Sequence, residues 1–175
     1  MKLLNFNEEQ NTVYYHSAIQ NISFVDTSLN KNERINKCME LFSLQEKLHK
    51  ENNLSYFLYH KYFPIEFTLE NYRQEYFNDY PSRLSCIYTF YSREITYSIN
   101  KTYNWTTPIK KVLLHPNCKV IKCDMNWITY FRKGNAMTKE VCLAYWNGTP
   151  LKEIFPEIDC TPVYEYLIEG KVEII

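Results

Sequence analysis

The chain has 175 residues, and its 20 Lys and Arg balance its 20 Asp and Glu, so the formal net charge is zero. That length predicts one domain, residues 1–175, with a core of its own, and neutrality excludes a global electrostatic footprint for nucleic acid or membrane, leaving local patches. Three glycines are too few for a Gly-rich phosphate loop, while aromatics reach 17% of the chain, with 16 Tyr.

The first residues, Met1-Lys2-Leu3-Leu4-Asn5, lack the apolar core of a signal peptide, and no apolar run has the length that spans a bilayer. A cytoplasmic chain with no membrane partner is expected. Its six cysteines (Cys38, Cys86, Cys118, Cys123, Cys142 and Cys160) form no C-x-x-C pair, and several lie among apolar residues. Reduced core thiols are the expectation rather than metal ligands or disulfides.

In chain order, Thr12 to Ala18 (TVYYHSA) reads as a short strand ending in a histidine. A polar stretch to about Asn32 precedes a helix on which Ile35, Cys38, Met39, Phe42 and Leu48 recur at near-helical spacing. A second apolar segment, Leu54 to Phe63, reads as a short helix closed by Pro64, and Thr68 caps a third from Leu69 to Phe77. The period then switches to two. Leu84, Cys86, Tyr88 and Phe90 alternate with Ser85, Ile87, Thr89 and Tyr91, a strand, and Ser92 caps a helix carrying Ile95, Ile99 and Tyr103. Strands over Ile109–His115 and Lys119–Met125 follow, then a polar connector through Arg132-Lys133-Gly134. Thr138 opens a helix that Asn147-Gly148-Thr149-Pro150 stops.

The tail from Pro162 to Ile175 is rich in β-branched and aromatic residues and is broken once, at Gly170, so it predicts two short strands or one bent strand. Glu165 sits mid-strand between Tyr164 and Tyr166. Pattern alone makes it an edge-strand acid facing water, since a central strand excludes a carboxylate that is neither paired nor functional. The whole order predicts an α+β fold: a split two-sheet β core with a helical insert after the first strand and helices on one flank.

Metal and nucleophile chemistry find no support. His16, His49, His60 and His115 are scattered, and neither H-E-x-x-H nor G-x-S-x-G occurs, so no metal is expected. Three features remain: strand-terminal His16, the Tyr-rich unit from Cys86 to Tyr97, and strand-borne Glu165. Each alone has an ordinary structural explanation.

Their order resembles the ADP-ribosyltransferase superfamily in its histidine-tyrosine-glutamate form. Tyr14-Tyr15-His16 is similar to the first-motif strand of that family, Cys86 to Ser92 (CIYTFYS), continuing to Tyr97, to the second motif, and Tyr164 to Ile168 (YEYLI) to the third. Pro81 to Ser85 (PSRLS), Asp124 to Trp127 (DMNW), Ala144 to Gly148 (AYWNG) and the terminal Glu165-x-Leu167-x-x-Gly170 also resemble a small bacterial group associated with the superfamily. The resemblance covers Thr12 to Ile175.

It implies an ADP-ribosyltransferase-like fold that binds NAD, as substrate, between two half-sheets. His16 would hold a ribose hydroxyl, and a tyrosine, Tyr88 or Tyr97 (or Tyr91), would stack on nicotinamide. Glu165 would stabilise the oxocarbenium-like charge as nicotinamide leaves. Arg83 is a candidate for the pyrophosphate, its other reading being a solvated surface arginine. Val163 stands where arginine-modifying relatives carry Glu or Gln, so an arginine acceptor is not expected. Lys110, Lys111, Lys119, Lys122, Arg132 and Lys133 lie near aromatics and put RNA or DNA ahead of protein as acceptor. The implied role is a bacterial or phage-defence toxin with an antitoxin or chaperone partner. The alternatives are a catalytically degenerate binding module or antitoxin-like partner and, behind it, an endonuclease using His16 and Glu165 as acid and base.

Overall fold

A computed structural model describes residues 14–17, 24–52 and 63–175 of the chain. The elements, in order, are β1 (Tyr14–Ser17), β2 (Phe24–Asp26), α1 (Lys31–Asn52), α2 (Phe63–Tyr76), β3 (Ile87–Thr89), α3 (Arg93–Tyr103), β4 (Ile109–Leu114), β5 (Lys119–Asp124), α4 (Asn126–Arg132), α5 (Lys139–Trp146), α6 (Leu151–Ile154), β6 (Tyr164–Glu169) and β7 (Lys171–Ile174). The fold class is α+β. Its strands form two antiparallel sheets, of order β1-β4-β7-β2 and β3-β6-β5.

The tail supplies an inner strand to each sheet. β6 lies between β3 and β5, and β7 between β4 and β2, with Gly170 as the one residue between them. Gly170 has φ +131°, and a Cβ there would lie 2.9 Å from the Cys118 Sγ and 3.0 Å from its Cα. A side chain would therefore meet both backbone strain and a backbone contact. Thr27 fastens the bend: its N–H donates to the Gly170 carbonyl (3.0 Å), and its hydroxyl accepts from the Gly170 N–H (2.8 Å). The expected edge position of Glu165 is corrected here, because β6 is paired on both sides. The acid sits inside a sheet because it has partners there, described below.

Alternation along β6 divides the core. Leu167 packs with Ile121, Cys123, Trp127, Tyr145, Trp146 and Leu69 under the helices, while Ile168 faces Tyr14, Val112, Val120 and Val172 between the sheets. A third cluster of Phe90, Ile99 and Met125 sits beneath α3. Among the described residues the sheets meet at one isolated bridge, Tyr15 to Phe90, closed by two backbone hydrogen bonds of 2.8 Å.

Several expected elements stand close to their predicted bounds: β4, β5, α5, the helix capped by Ser92, and the tail broken at Gly170. Ser92 Oγ accepts from the Ile95 N–H at 3.1 Å, and Gly148 takes φ +67° just past α5. Others differ. Pro64 opens α2 rather than closing a helix, since a first turn needs no proline N–H, and Thr68 lies inside that helix. Of the helix expected from Leu54 to Phe63, residues 54–62 lie outside the described residues. The strand expected from Leu84 is three residues long, because the N–H groups of Ser85 and Cys86 turn back to the Ser82 carbonyl. The short strand β2 precedes the helical insert. α4 replaces much of the expected connector, burying Trp127, Ile128 and Phe131 at helical spacing.

Candidate active site

β1, β3 and β6 are neighbours, and they bring His16, Tyr88 and Glu165 into one region. The His16 Nδ1 lies 2.6 Å from the Tyr88 carbonyl oxygen. A carbonyl only accepts, so Nδ1 carries the proton and donates, which leaves Nε2 as an acceptor. Burial pushes the His16 pKa down against the smaller opposing effect of that bond, so the ring is neutral at neutral pH. His16 and Tyr88 line a cavity of about 460 Å³ together with Phe90, Asn104, Trp105 and Thr107. Asn104 ends α3 in the left-handed conformation, with φ 55°, and turns the chain into the cavity wall.

Glu165 stands behind this wall. Tyr88 is paired opposite Leu167 and therefore shares its face, on which Glu165 is the next residue. Glu165 is 3% exposed and does not line the cavity. Its Oε1 accepts from the Arg83 Nη1 (2.6 Å) and from the Tyr145 hydroxyl (3.1 Å), and no described residue donates to Oε2. The other edge of Arg83 grips Glu66, with Nε to Oε2 at 2.8 Å and Nη2 to Oε1 at 3.1 Å. Tyr88 closes the group, its hydroxyl donating to the Arg83 carbonyl oxygen at 2.5 Å and its ring centre 5.0 Å from the guanidinium.

Two carboxylates thus share one guanidinium, so the cluster carries a surplus negative charge. Burial opposes the charge of Arg83, but Glu165 and then Glu66 overcome it and hold its pKa well above the ordinary value. Burial pushes the hydroxyls of Tyr88 and Tyr145 well up, so both remain protonated donors. It pushes up the Cys86 and Cys123 thiols as well, which makes neither a nucleophile at neutral pH.

A second buried group positions Arg83. On α2, Glu70 receives Nε and Nη2 of Arg73, with the shortest contact at 2.8 Å, and the Ser82 hydroxyl at 2.8 Å. Arg73 Nη1 donates to the carbonyls of Asn78 (2.9 Å) and Tyr80 (3.1 Å). One helix therefore ties down the turn that ends at Ser82 and, through Glu66, clamps the arginine that follows.

The predicted site residues fall into three positions. His16 and Tyr88 meet at the cavity, and Glu165 is joined to them through Arg83. Arg83 is neither a surface residue nor available to a pyrophosphate in this arrangement, because all three guanidinium nitrogens are engaged. Tyr97 and Tyr91 are exposed and line no part of the cavity. Sequence reasoning missed Glu66 and Tyr145 as site residues. Tyr145 lies in the Ala144-Tyr145-Trp146 phrase, which was legible as a motif without a role. Glu66 carried no local signal. Among the described residues there is no group of three His, Cys, Asp or Glu placed to hold a metal, and no helix long and apolar enough to cross a membrane.

The chain belongs to the DUF2441 family, whose model, described as a protein of unknown function, matches residues 2–175. No curated protein matches it.

Proposed function

We propose that this chain is an ADP-ribosyltransferase, which cleaves NAD between nicotinamide and ribose and transfers ADP-ribose to a macromolecular acceptor. The observation that carries the reading is the grouping of His16, Tyr88 and Glu165 on three neighbouring strands, in the order that the sequence resemblance implies. The two antiparallel sheets agree with the split core expected of that superfamily. NAD enters as a substrate, and the toxin or phage-defence setting in the cytoplasm, with an antitoxin or chaperone partner, rests on the resemblance alone.

In this reading His16 Nε2 accepts a hydrogen bond from a ribose hydroxyl, and the Tyr88 ring stacks on nicotinamide. The bond from C1′ to the nicotinamide nitrogen breaks, its electron pair leaves with neutral nicotinamide, and positive charge develops on the ribose. The surplus negative charge of Glu66, Arg83 and Glu165 stabilises that cation, a group of this kind contributing a few kcal/mol. A nucleophilic atom of the acceptor then bonds to C1′ and releases its proton to solvent. Glu165 takes part only after Tyr88 and Arg83 shift enough for Oε2 to open onto the cavity.

The closed state of Glu165, buried in its ion pair, favours one second reading: a binding module whose catalytic site is degenerate. Incubating the protein with labelled NAD and with cellular protein, RNA and DNA separates the two. Label in a macromolecular fraction, lost in Glu165→Gln, supports the transferase. Intact NAD and no label support the binding module, and cleavage of RNA or DNA without NAD makes the chain a nuclease.

A further inference from the structure

Four exposed large apolar side chains lie in the segment that runs from β3 through α3 to the cavity wall. Tyr91, Ile95, Tyr97 and Trp105 are 61, 38, 65 and 46% exposed and fall within one segment. On α3, Thr96, Ile99 and Asn100 are buried, and Arg93, Tyr97 and Lys101 follow one another at four-residue spacing along an exposed flank beside them. Each cation therefore lies one turn from the tyrosine, about 6 Å along the axis. Among the described residues neither cation forms an ion pair, and neither does Lys110, which pairs opposite His16 and shares its face. The acid on this side, Glu94, is engaged with Ser92 and backbone at the helix N-terminus. Trp105 lies at the end of the stripe and lines the cavity. Its ring is stacked on Tyr103 at 5.5 Å and 28°, and Arg132 sits 5.5 Å from the other partner's ring centre. Trp105 thus presents a ring held in one orientation.

We propose that this face binds a single-stranded nucleic acid, with Tyr97 and Trp105 stacking on bases and Arg93, Lys101 and Lys110 facing the phosphates. Naming that strand as the acceptor rests on the transferase reading; the binding does not. Alternating rings and unpaired cations suit a strand whose base faces are open, whereas a duplex hides those faces within its own stack. The strand would run along α3 to the cavity lip and bring one nucleotide to the ribose.

The test uses the full chain without NAD and short labelled oligonucleotides of mixed sequence: single-stranded DNA, single-stranded RNA and a DNA duplex. Fluorescence anisotropy is expected to show single strands bound at least tenfold more tightly than duplex, the two single-strand arms reporting which sugar is preferred. Tyr97→Ala and Trp105→Ala should each weaken binding by about tenfold or more, as loss of a base–aromatic stack does. Arg93→Gln and Lys101→Gln should each lower the slope of log affinity against log salt by about 0.7. All four positions are exposed, so the variants keep the fold. Absence of single-strand binding, equal binding of duplex, or indifference to both aromatic substitutions overturns the proposal. Binding without any ADP-ribose transfer defeats the transferase reading and leaves the docking face, while transfer to protein by a chain that binds no oligonucleotide does the reverse.

Discussion

Arg83 reaches Glu165 through Nη1 at 2.6 Å while its Nε and Nη2 hold Glu66, so one buried guanidinium spans two acids that lie 99 positions apart in the chain (165 − 66). The arrangement makes the two partners unequal. Removing an acid leaves a neutral pair, but removing the arginine leaves the buried Glu165 and the half-buried Glu66 without a counter-charge.

Arg83→Met is therefore expected to lower stability by about 3–5 kcal/mol, the range for breaking a buried pair from one side. Glu165→Gln keeps an acceptor for Nη1 and leaves Arg83 with Glu66, so its loss should stay near 1 kcal/mol. Urea unfolding of both variants checks the difference. Equal losses would mean that the cluster is not the shared ion group described above.

The two variants separate differently by activity. If the transferase reading holds, Glu165→Gln loses about 10²–10³-fold in the rate of NAD cleavage, as removal of one preorganised electrostatic group does, while remaining folded. Labelled nicotinamide release measures it, and a folded Glu165→Gln variant with the full rate removes Glu165 from the mechanism.

Tyr88 performs two tasks that substitution can divide. Its hydroxyl donates to the Arg83 carbonyl, its ring lies 5.0 Å from the Arg83 guanidinium, and the residue lines the cavity. If the transferase reading holds, Tyr88→Phe keeps the ring, so the KM for NAD should change by less than threefold, on the order of half a kcal/mol. Tyr88→Ala removes the stacking face and should raise it about tenfold. Steady-state kinetics distinguish them, and equal effects would place the role of Tyr88 in its hydroxyl alone.

His16 couples stability to pH. Burial holds its folded pKa below the ordinary 6.5, so the unfolded chain takes up a proton at a pH where the folded chain does not. In that window the unfolded state binds more protons, and stability falls as pH falls. The contribution is complete above pH 6.5 and is lost as pH drops through the window to the depressed folded value. Unfolding measured at stepped pH should show this slope in the unchanged chain and a shallower one in His16→Asn. An unaltered slope would assign the dependence to other groups.

Gly170→Ala tests the bend between the sheets. An alanine Cβ at φ +131° would press against the Cys118 Cα at 3.0 Å, so a loss of more than about 1 kcal/mol is expected. Cys118→Ala should not rescue it, because one of the two close contacts is backbone. Thermal unfolding of the single and double variants decides the matter, and full rescue would place the conflict in the thiol instead.

Much of the fold was legible because its signals are local. The turn chemistry of Pro116-Asn117-Cys118 separates β4 from β5, Ser92 and Thr138 mark helix starts, and Gly170 divides the tail. The missed elements are short or ambiguous. β2 is too short to show a period, α4 occupies seven residues, and Pro64 looks the same at a helix end as at a helix start. In the candidate site, His16, Tyr88 and Glu165 could be picked out from ordered motifs, but the partners of Glu165 could not.

What the sequence alone determined was the α+β class and where most strand and helix segments begin and end, since these depend on neighbours a few positions away. The tertiary structure decided that β6 is an inner strand, that Arg83 is buried between two acids, and that Tyr97 faces outward. Those outcomes depend on pairings such as Arg83 with Glu165 and Tyr145 with Glu165. The desolvation of a buried carboxylate is offset only by groups that chain folding brings from distant positions, and no local pattern records where they come from.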